Sequence, residues 1–437
     1  MQSSKRGKEL RLRVRRKAQG EFKRIDNRPS VADMIKASDH DRLPDLIPIR
    51  HERMGVSPFT FYRGTAGIMA YDLSFLPRTD IIVQAIGDCH LMNFGGFATP
   101  ERTLIFDAND FDETLPATWE WDIKRLATSF VLAARHNNLK ASDAKELAFI
   151  HAQSYRRHII EFAQMTLLDL WYMKFDIQAI RDKSKSMEMR QMLGNAVIKA
   201  QKETNEKIFY NITKHVSGNF MITDQPPLIY HSPEMKDKEM IIHFLDDYCK
   251  SLQDDRRWLF EQYKLVDVAL KVIGVGSVGT RCYIVLMMNQ KQEPLFLQVK
   301  EAKQSVLEKY TAKSQYAHSG QRVVEGQRLV QAASDIFLGW STGPDGRQYY
   351  LRQLRDRKIA PSVEQFDMEL LTAYARLCGR MLARAHAKTG NASMIAGYLG
   401  KSEMMDEAIS NFAMAYADQT EKDFDDFKKA MKAGVLM

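Results

Sequence analysis

The chain has 437 residues, 45% of them hydrophobic and 27% charged, the balance expected of a soluble globular protein with room for two or three domains or one large two-lobed one. No apolar run of about 18 residues is present, which argues against a membrane-spanning helix, and the N-terminus lacks the apolar core of a secretory signal. Cys89, Cys249, Cys282 and Cys378 are scattered with no Cys-x-x-Cys pair, which argues against a zinc site or a disulfide framework and fits a reducing cytoplasm.

Residues 1–24 carry ten Lys/Arg and two acids, which equals the whole net charge of +8. Residues 1–45 therefore read as a basic N-terminal arm and lead-in with little core. Apart from Phe22 the arm has no interleaved aromatics, so the signal for nucleic acid rests on charge alone. Residues 58–76 read as a short helix with loops. Residues 81–86 are a buried strand that ends at Gly87, and 103–106 are a second short strand leading into an acidic segment. From Trp121 to about Arg135 the apolar spacing is helical, and 142–176, 186–217 and 238–262 continue as helices. The texture then changes. Residues 265–300 are rich in Val, Ile, Leu and Tyr and read as three strands. Gln321–Ala333 is a helix, Gln348–Leu354 a strand, and 364–388 and 402–432 are helices. The division expected is a helical lobe over 46–262, a sheet-rich nucleotide-binding lobe over 263–357, and C-terminal helices over 358–437 that complete the helical lobe.

Two motifs carry chemistry. In the first, Asp88 and Asn93 lie five residues apart, the spacing of a kinase catalytic loop. A carboxylate there serves an attacking hydroxyl, and a neutral amide oxygen helps hold Mg²⁺ without adding charge beside phosphates. The second short strand then delivers Asp107, Asp110 and Asp112, three candidates for the metal-binding carboxylate, of which Asp107 fits the distance from Asn93. Asp122 is read as a helix cap or a brace for the catalytic loop. The second motif is Gly274-x-Gly276-Ser277-x-Gly279. A strand follows it, not a helix, which excludes a dinucleotide-binding turn, and it lacks the Gly-Lys-Ser/Thr of a Walker loop. A glycine-rich hairpin over phosphates fits, with Ser277 in the loop. Lys300 ends the next strand, where a kinase places the lysine that pairs with nucleotide phosphates, and Glu325 on the following helix is its expected partner.

The segments Phe61-Tyr62-Arg63-Gly64, Gly87-Asp88-Cys89-His90, Asn109-Asp110-Phe111-Asp112-Glu113, Trp119-Glu120-Trp121-Asp122 and Leu382-Ala383-Arg384-Ala385-His386-Ala387 resemble a bacterial family catalogued as domain of unknown function 2252, over about residue 25 to the C-terminus. Gly87, Asp88 and His90 also resemble the catalytic loop of aminoglycoside phosphotransferases. The resemblance implies a protein-kinase-like fold without an established acceptor, and carries over Asp88, Asn93 and Asp110 as the site. Kinases run glycine loop, lysine, catalytic Asp and Asn; here the catalytic half comes first, which implies a circular permutation.

The expectation is thus an α+β, kinase-like, two-lobed fold that uses ATP and Mg²⁺ to phosphorylate a small-molecule acceptor. Nucleotidyl transfer to a protein (AMPylation), a non-catalytic nucleotide-binding module and a nucleic-acid binder are the alternatives. Arg63 is read as a contact for phosphate or acceptor, or as half of a structural ion pair.

Overall fold

The computed structural model describes residues 2–184, 186–202, 205–216, 218–231, 238–354 and 357–436. The chain is a mixed α+β protein whose sheets are antiparallel throughout.

The largest sheet has six strands in the order Gly339–Thr342, Gln348–Gln353, Pro294–Glu301, Cys282–Met288, Lys264–Lys271, Ile229–Tyr230. Its central strand Cys282–Met288 is buried at every position, which is why it reads as an unbroken apolar run. One face packs Val268, Tyr283, Val285, Leu297 and Leu351 against Ile241, Leu245 and Tyr248 of the Lys238–Lys250 helix. The other face packs Ala269, Ile284, Leu286 and Phe296 against Phe209 and Ile222.

The helical part is built on Trp119–His136, Ala141–Phe162, Met368–Thr389 and Met404–Lys432. Residues 119–134 are all buried, so the first of these helices runs through the core. A three-stranded sheet (Lys358–Ile359, Phe94–Ala98, Leu104–Ala108) and a pair (Ile82–Ala85 with Leu115–Thr118) lie beside it. One hydrophobic cluster joins Trp119, Leu126, Leu382 and Phe412 with Ala302, Val323, Val330 and Tyr350. The helical and sheet-rich parts therefore share a core. The expected junction near 357 falls beside residues 355–356, which lie outside the described residues.

Three expectations differ from the structure. The stretch 142–176 breaks at Ala163, because the Thr166 hydroxyl accepts the Asp169 N–H at 3.1 Å and caps a new helix, Leu167–Tyr172. The stretch 186–217 ends in a strand, Thr213–Val216, paired with Asn219–Ile222. Gly218, at φ +85°, lies in the turn between them. Residues 1–45 contribute more to the interior than expected. Gln2–Arg13 is a helix, Arg11 Nε donates to the Tyr398 carbonyl at 2.8 Å, and Arg16 donates to the Leu399 carbonyl at 2.6 Å. Val31 and Ile35 are buried, and Arg28 lies between Asp72 and Asp423, 2.7 Å from each.

His151 gives the fold an acid sensitivity. It is fully buried and stacks on Phe130 at a centroid distance of 5.6 Å. Burial pushes its pKa down to about 3. Below about 6.5 the unfolded chain gains a proton that the folded imidazole does not, so this contribution to stability falls as pH drops from 6.5 towards 3. At pH 5 the loss is about 2 kcal/mol. His151→Phe should remove it: urea unfolding at pH 7.5 and 5.0 should show wild type losing about 2 kcal/mol more than the variant. Equal losses would contradict the burial of a neutral imidazole.

Candidate active site

The strand Ile82–Ala85 runs into Gly87 and Asp88. Gly87 has φ +86°, and a Cβ there would collide with the Glu113 carbonyl. The loop is braced from behind. Asp122 accepts the Ile86 N–H at 2.7 Å and the Gly87 N–H at 3.0 Å. His386 Nε2 lies 3.3 Å from the same carboxylate, and its Nδ1 bonds the Tyr155 hydroxyl at 2.8 Å. The Tyr374 hydroxyl donates to the Leu91 carbonyl at 2.8 Å. Gly87→Ala should lower the free energy of unfolding by at least about 2 kcal/mol, from left-handed strain plus the backbone clash. A change below 0.5 kcal/mol in chemical denaturation would show that the loop tolerates another path.

Asp88 is held on one side. Its Oδ1 accepts from Arg125 Nε at 2.7 Å and Nη2 at 2.5 Å, while Oδ2 stands 3.8 Å from His90 Nε2. Burial raises the Asp88 pKa and Arg125 and Arg63 oppose the rise. Burial also pushes His90 well below its ordinary value, so its ring is neutral. Asn93 donates from Nδ2 to the Asp88 carbonyl at 2.8 Å, and its own carbonyl accepts the Asn109 N–H. The loop and the acidic segment are thereby joined through Asn93.

The three aspartates of the acidic segment have separate fates. Asp107 lies in the strand Leu104–Ala108 and points inward, where Arg384 binds both its oxygens at 2.9 Å and the Ala332 N–H donates to it. Its carboxylate is turned from the cavity, so it is a poor metal ligand. Asp112 accepts from Lys300 Nζ at 2.6 Å and the Tyr350 hydroxyl at 2.7 Å, with Ser277 Oγ at 3.5 Å. Burial works against its ionisation, but Lys300 prevails and holds its pKa below the usual value. Asp110 has Lys300 at 3.8 Å and a bond from the Asp112 N–H at 3.2 Å. Burial and the Asp112 charge raise its pKa. A third of its side chain remains exposed towards a cavity of about 960 Å³.

Asp88, Asp110, Asp112, Gly276 and Ser277 line that one cavity. Its sheet wall is the hairpin between Lys264–Lys271 and Cys282–Met288, which are paired antiparallel. Gly274 and Gly279 turn the loop with φ +71° and +88°. Lys300 lies on the next strand, paired with Cys282 on one side and Tyr350 on the other, and is 2% exposed. Burial opposes its charge, yet Asp110 and Asp112 raise its pKa well above the ordinary lysine value. The partner expected for Lys300 needs correction: Glu325 pairs with Arg328 at 3.1 Å, and the two Asp carboxylates take its place. The helix Ser319–Val330 reaches the acidic segment through Arg322, which donates to the Asp112 carbonyl at 2.8 Å and the Thr114 carbonyl at 2.6 Å.

Residues 42–430 match the bacterial family described as "Uncharacterized protein conserved in bacteria (DUF2252)". The chain belongs to the DUF2252 family. No curated protein and no solved structure matches it. The DUF2252 match spans the Asp88 loop, the acidic segment, the glycine hairpin, Lys300 and the Met368–Thr389 helix, whereas the Gln2–Arg13 helix lies outside it. Among the described residues of this DUF2252 protein, no helix is long and apolar enough to cross a membrane.

Arg125, Tyr350, Arg322 and His386 are the site residues that sequence reasoning left without a role. Arg125 had a signal: with Lys124 it interrupts an apolar helix three residues after Asp122, and a cation in a buried helix needs an anion nearby.

Proposed function

We propose that this protein is an ATP- and Mg²⁺-dependent phosphotransferase with a kinase-like site whose halves are permuted along the chain. The observation that carries the reading is Lys300. It lies 188 residues from Asp112, yet bonds it at 2.6 Å and stands 3.8 Å from Asp110, in the strand that follows the glycine hairpin. A kinase needs that convergence: a glycine-rich hairpin over the phosphates, a strand lysine, an Asp and Asn for metal, and an Asp at the acceptor hydroxyl. The missing Glu on the following helix is a departure from that pattern, since Arg322 occupies the face turned to the acidic segment.

The residues suit Mg²⁺. Among the described residues no three His, Cys, Asp or Glu side chains form a metal cage. Magnesium bound with a nucleotide does not need one, because one or two carboxylates and the phosphate oxygens suffice. Asp110 and the Asn93 amide oxygen would hold it, and when bound it would offset the phosphate charge. Lys300 would neutralise the phosphates, and the glycine hairpin with Ser277 would cover them. Asp88 Oδ2 accepts no hydrogen bond among the described residues, while Arg125 fixes Oδ1. In the reaction the acceptor hydroxyl oxygen bonds to the γ-phosphorus, the bond from that phosphorus to the β-phosphate oxygen breaks, the hydroxyl proton passes to Asp88, and ADP leaves.

Incubation with [γ-³²P]ATP or [α-³²P]ATP and a cell-extract fraction of small metabolites tests the reaction type. Label should leave the γ position for an acceptor, and Asp88→Asn should slow that transfer by about 10²–10⁴-fold. Transfer of α-label to protein would replace the reading with nucleotidyl transfer.

A further inference from the structure

The cavity holds a cation for which the proposed phosphate chemistry has no use. Arg63 is the last residue of the short helix Pro58–Arg63, whose start is fixed by a capping box between Ser57 and Thr60. Arg63 lines the same cavity as Asp88, and its charge acts on the Asp88 carboxylate. Its Nε is buried without a hydrogen-bond partner, and the guanidinium makes no ion pair among the described residues. Burial depresses its pKa although Glu364 and Asp88 both act to raise it. A guanidinium held that way is under-compensated and favours an anion.

The cations acting on the three aspartates divide into two groups. Lys300 and Arg352 act on Asp110 and Asp112, the proposed metal side. Arg63 and Arg125 act on Asp88, the acceptor side, and Arg125 is consumed by its ion pair there. The Arg63 backbone abuts the glycine hairpin: its carbonyl oxygen lies 3.1 Å from where a Cβ on Gly276 would stand. Of the cations that line the cavity with Arg63, Arg42 donates to the Val278 and Ser38 carbonyls, and Lys303 faces Asp41 at 3.3 Å. Lys309 and Lys313 are exposed at the rim and make no ion pair among the described residues.

We propose that the acceptor is an anion, whose phosphate or carboxylate is bound by Arg63 while its hydroxyl faces Asp88, with Lys309 and Lys313 drawing it in. This rests on the phosphotransferase reading for the hydroxyl and not for the anion site. The Arg63 fork suits a planar or tetrahedral oxyanion, and rim lysines raise local anion concentration.

Calorimetric titration of inorganic phosphate into the full-length protein, alone and with saturating Mg²⁺–AMP-PNP, is the test. Wild type should bind one phosphate per chain in both conditions. Arg63→Gln should weaken it at least tenfold, Arg63→Lys less, and the pair Lys309→Gln/Lys313→Gln about two- to threefold with a shallower salt dependence. AMP-PNP affinity should stay within twofold in all of them. Thermal unfolding within a few degrees of wild type establishes that the variants are folded, and the lysine variant keeps the test open if the glutamine one is not. Phosphate affinity unchanged in Arg63→Gln would overturn the site. Competition between phosphate and AMP-PNP would overturn its assignment to the acceptor and give Arg63 to the nucleotide. Phosphate binding through Arg63 in a protein that ignores AMP-PNP would support the anion site and sink the phosphotransferase reading.

Discussion

Asp110→Asn is expected to reduce Mg²⁺-dependent ATP turnover by about 10³-fold or more, with the fold intact. A metal that polarises a phosphoryl group supplies several kcal/mol of transition-state stabilisation, and each 1.36 kcal/mol is about tenfold in rate. Asp110 is the carboxylate to lose, because Asp107 is tied to Arg384 and Asp112 to Lys300 and Tyr350. Substitution there leaves Lys300 its closer partner, so the local structure has no reason to open. Lys300→Ala should act differently: it removes the charge between two adjacent carboxylates and should weaken nucleotide binding as well as turnover. Steady-state ADP release with water as acceptor reads both. Turnover in Asp110→Asn within threefold of wild type would move the metal role to another residue.

The second large effect lies far from the cavity. Arg28→Met should destabilise the protein by about 3–5 kcal/mol, the range for breaking a buried ion pair from one side. Arg28 bonds Asp72 through Nε and Nη2 and Asp423 through Nη1 and Nη2. The Tyr416 hydroxyl also donates to Asp72 at 2.8 Å. Without the guanidinium, two carboxylates remain buried with no cation. Adding Asp72→Asn and Asp423→Asn to Arg28→Met should recover part of the loss, because the penalty belongs to unpaired charge. Equilibrium denaturation measures both steps, and a loss under 1 kcal/mol in the single variant would mean that water reaches the cluster.

Arg28 also marks a limit of reading the sequence. In a segment with ten cations and two acids among its first 24 residues, nothing local separates one arginine in the core from its solvated neighbours. The partners lie 44 and 395 residues away. The grouping of the first motif was easier to read, because Asp88, Asn93 and Asp110 follow one another within 23 positions. Asp107 could not be separated from Asp110 by spacing. The difference is that residue 107 is still within the strand, with its side chain directed at Arg384, whereas residue 110 lies past the strand's end. Glu325 failed for a related reason. Arg322, Glu325 and Gly326 lie within about one helical turn, and the face turned to the acidic segment takes Arg322 and the close approach of Gly326 to Thr114. Rotation about the helix axis is a tertiary outcome. The place of Lys300 on the strand after the glycine hairpin was legible from the apolar run that precedes it. Its tie to Asp112 was not, since that distance depends on how the two halves close.

Calorimetric titration of AMP-PNP into wild-type protein with and without Mg²⁺ is the most direct test of the cavity as a metal–nucleotide site. The account predicts one site per chain, with affinity at least tenfold higher with Mg²⁺ and that gain lost in Asp110→Asn. No binding at millimolar nucleotide, or binding indifferent to both Mg²⁺ and Asp110, would contradict it.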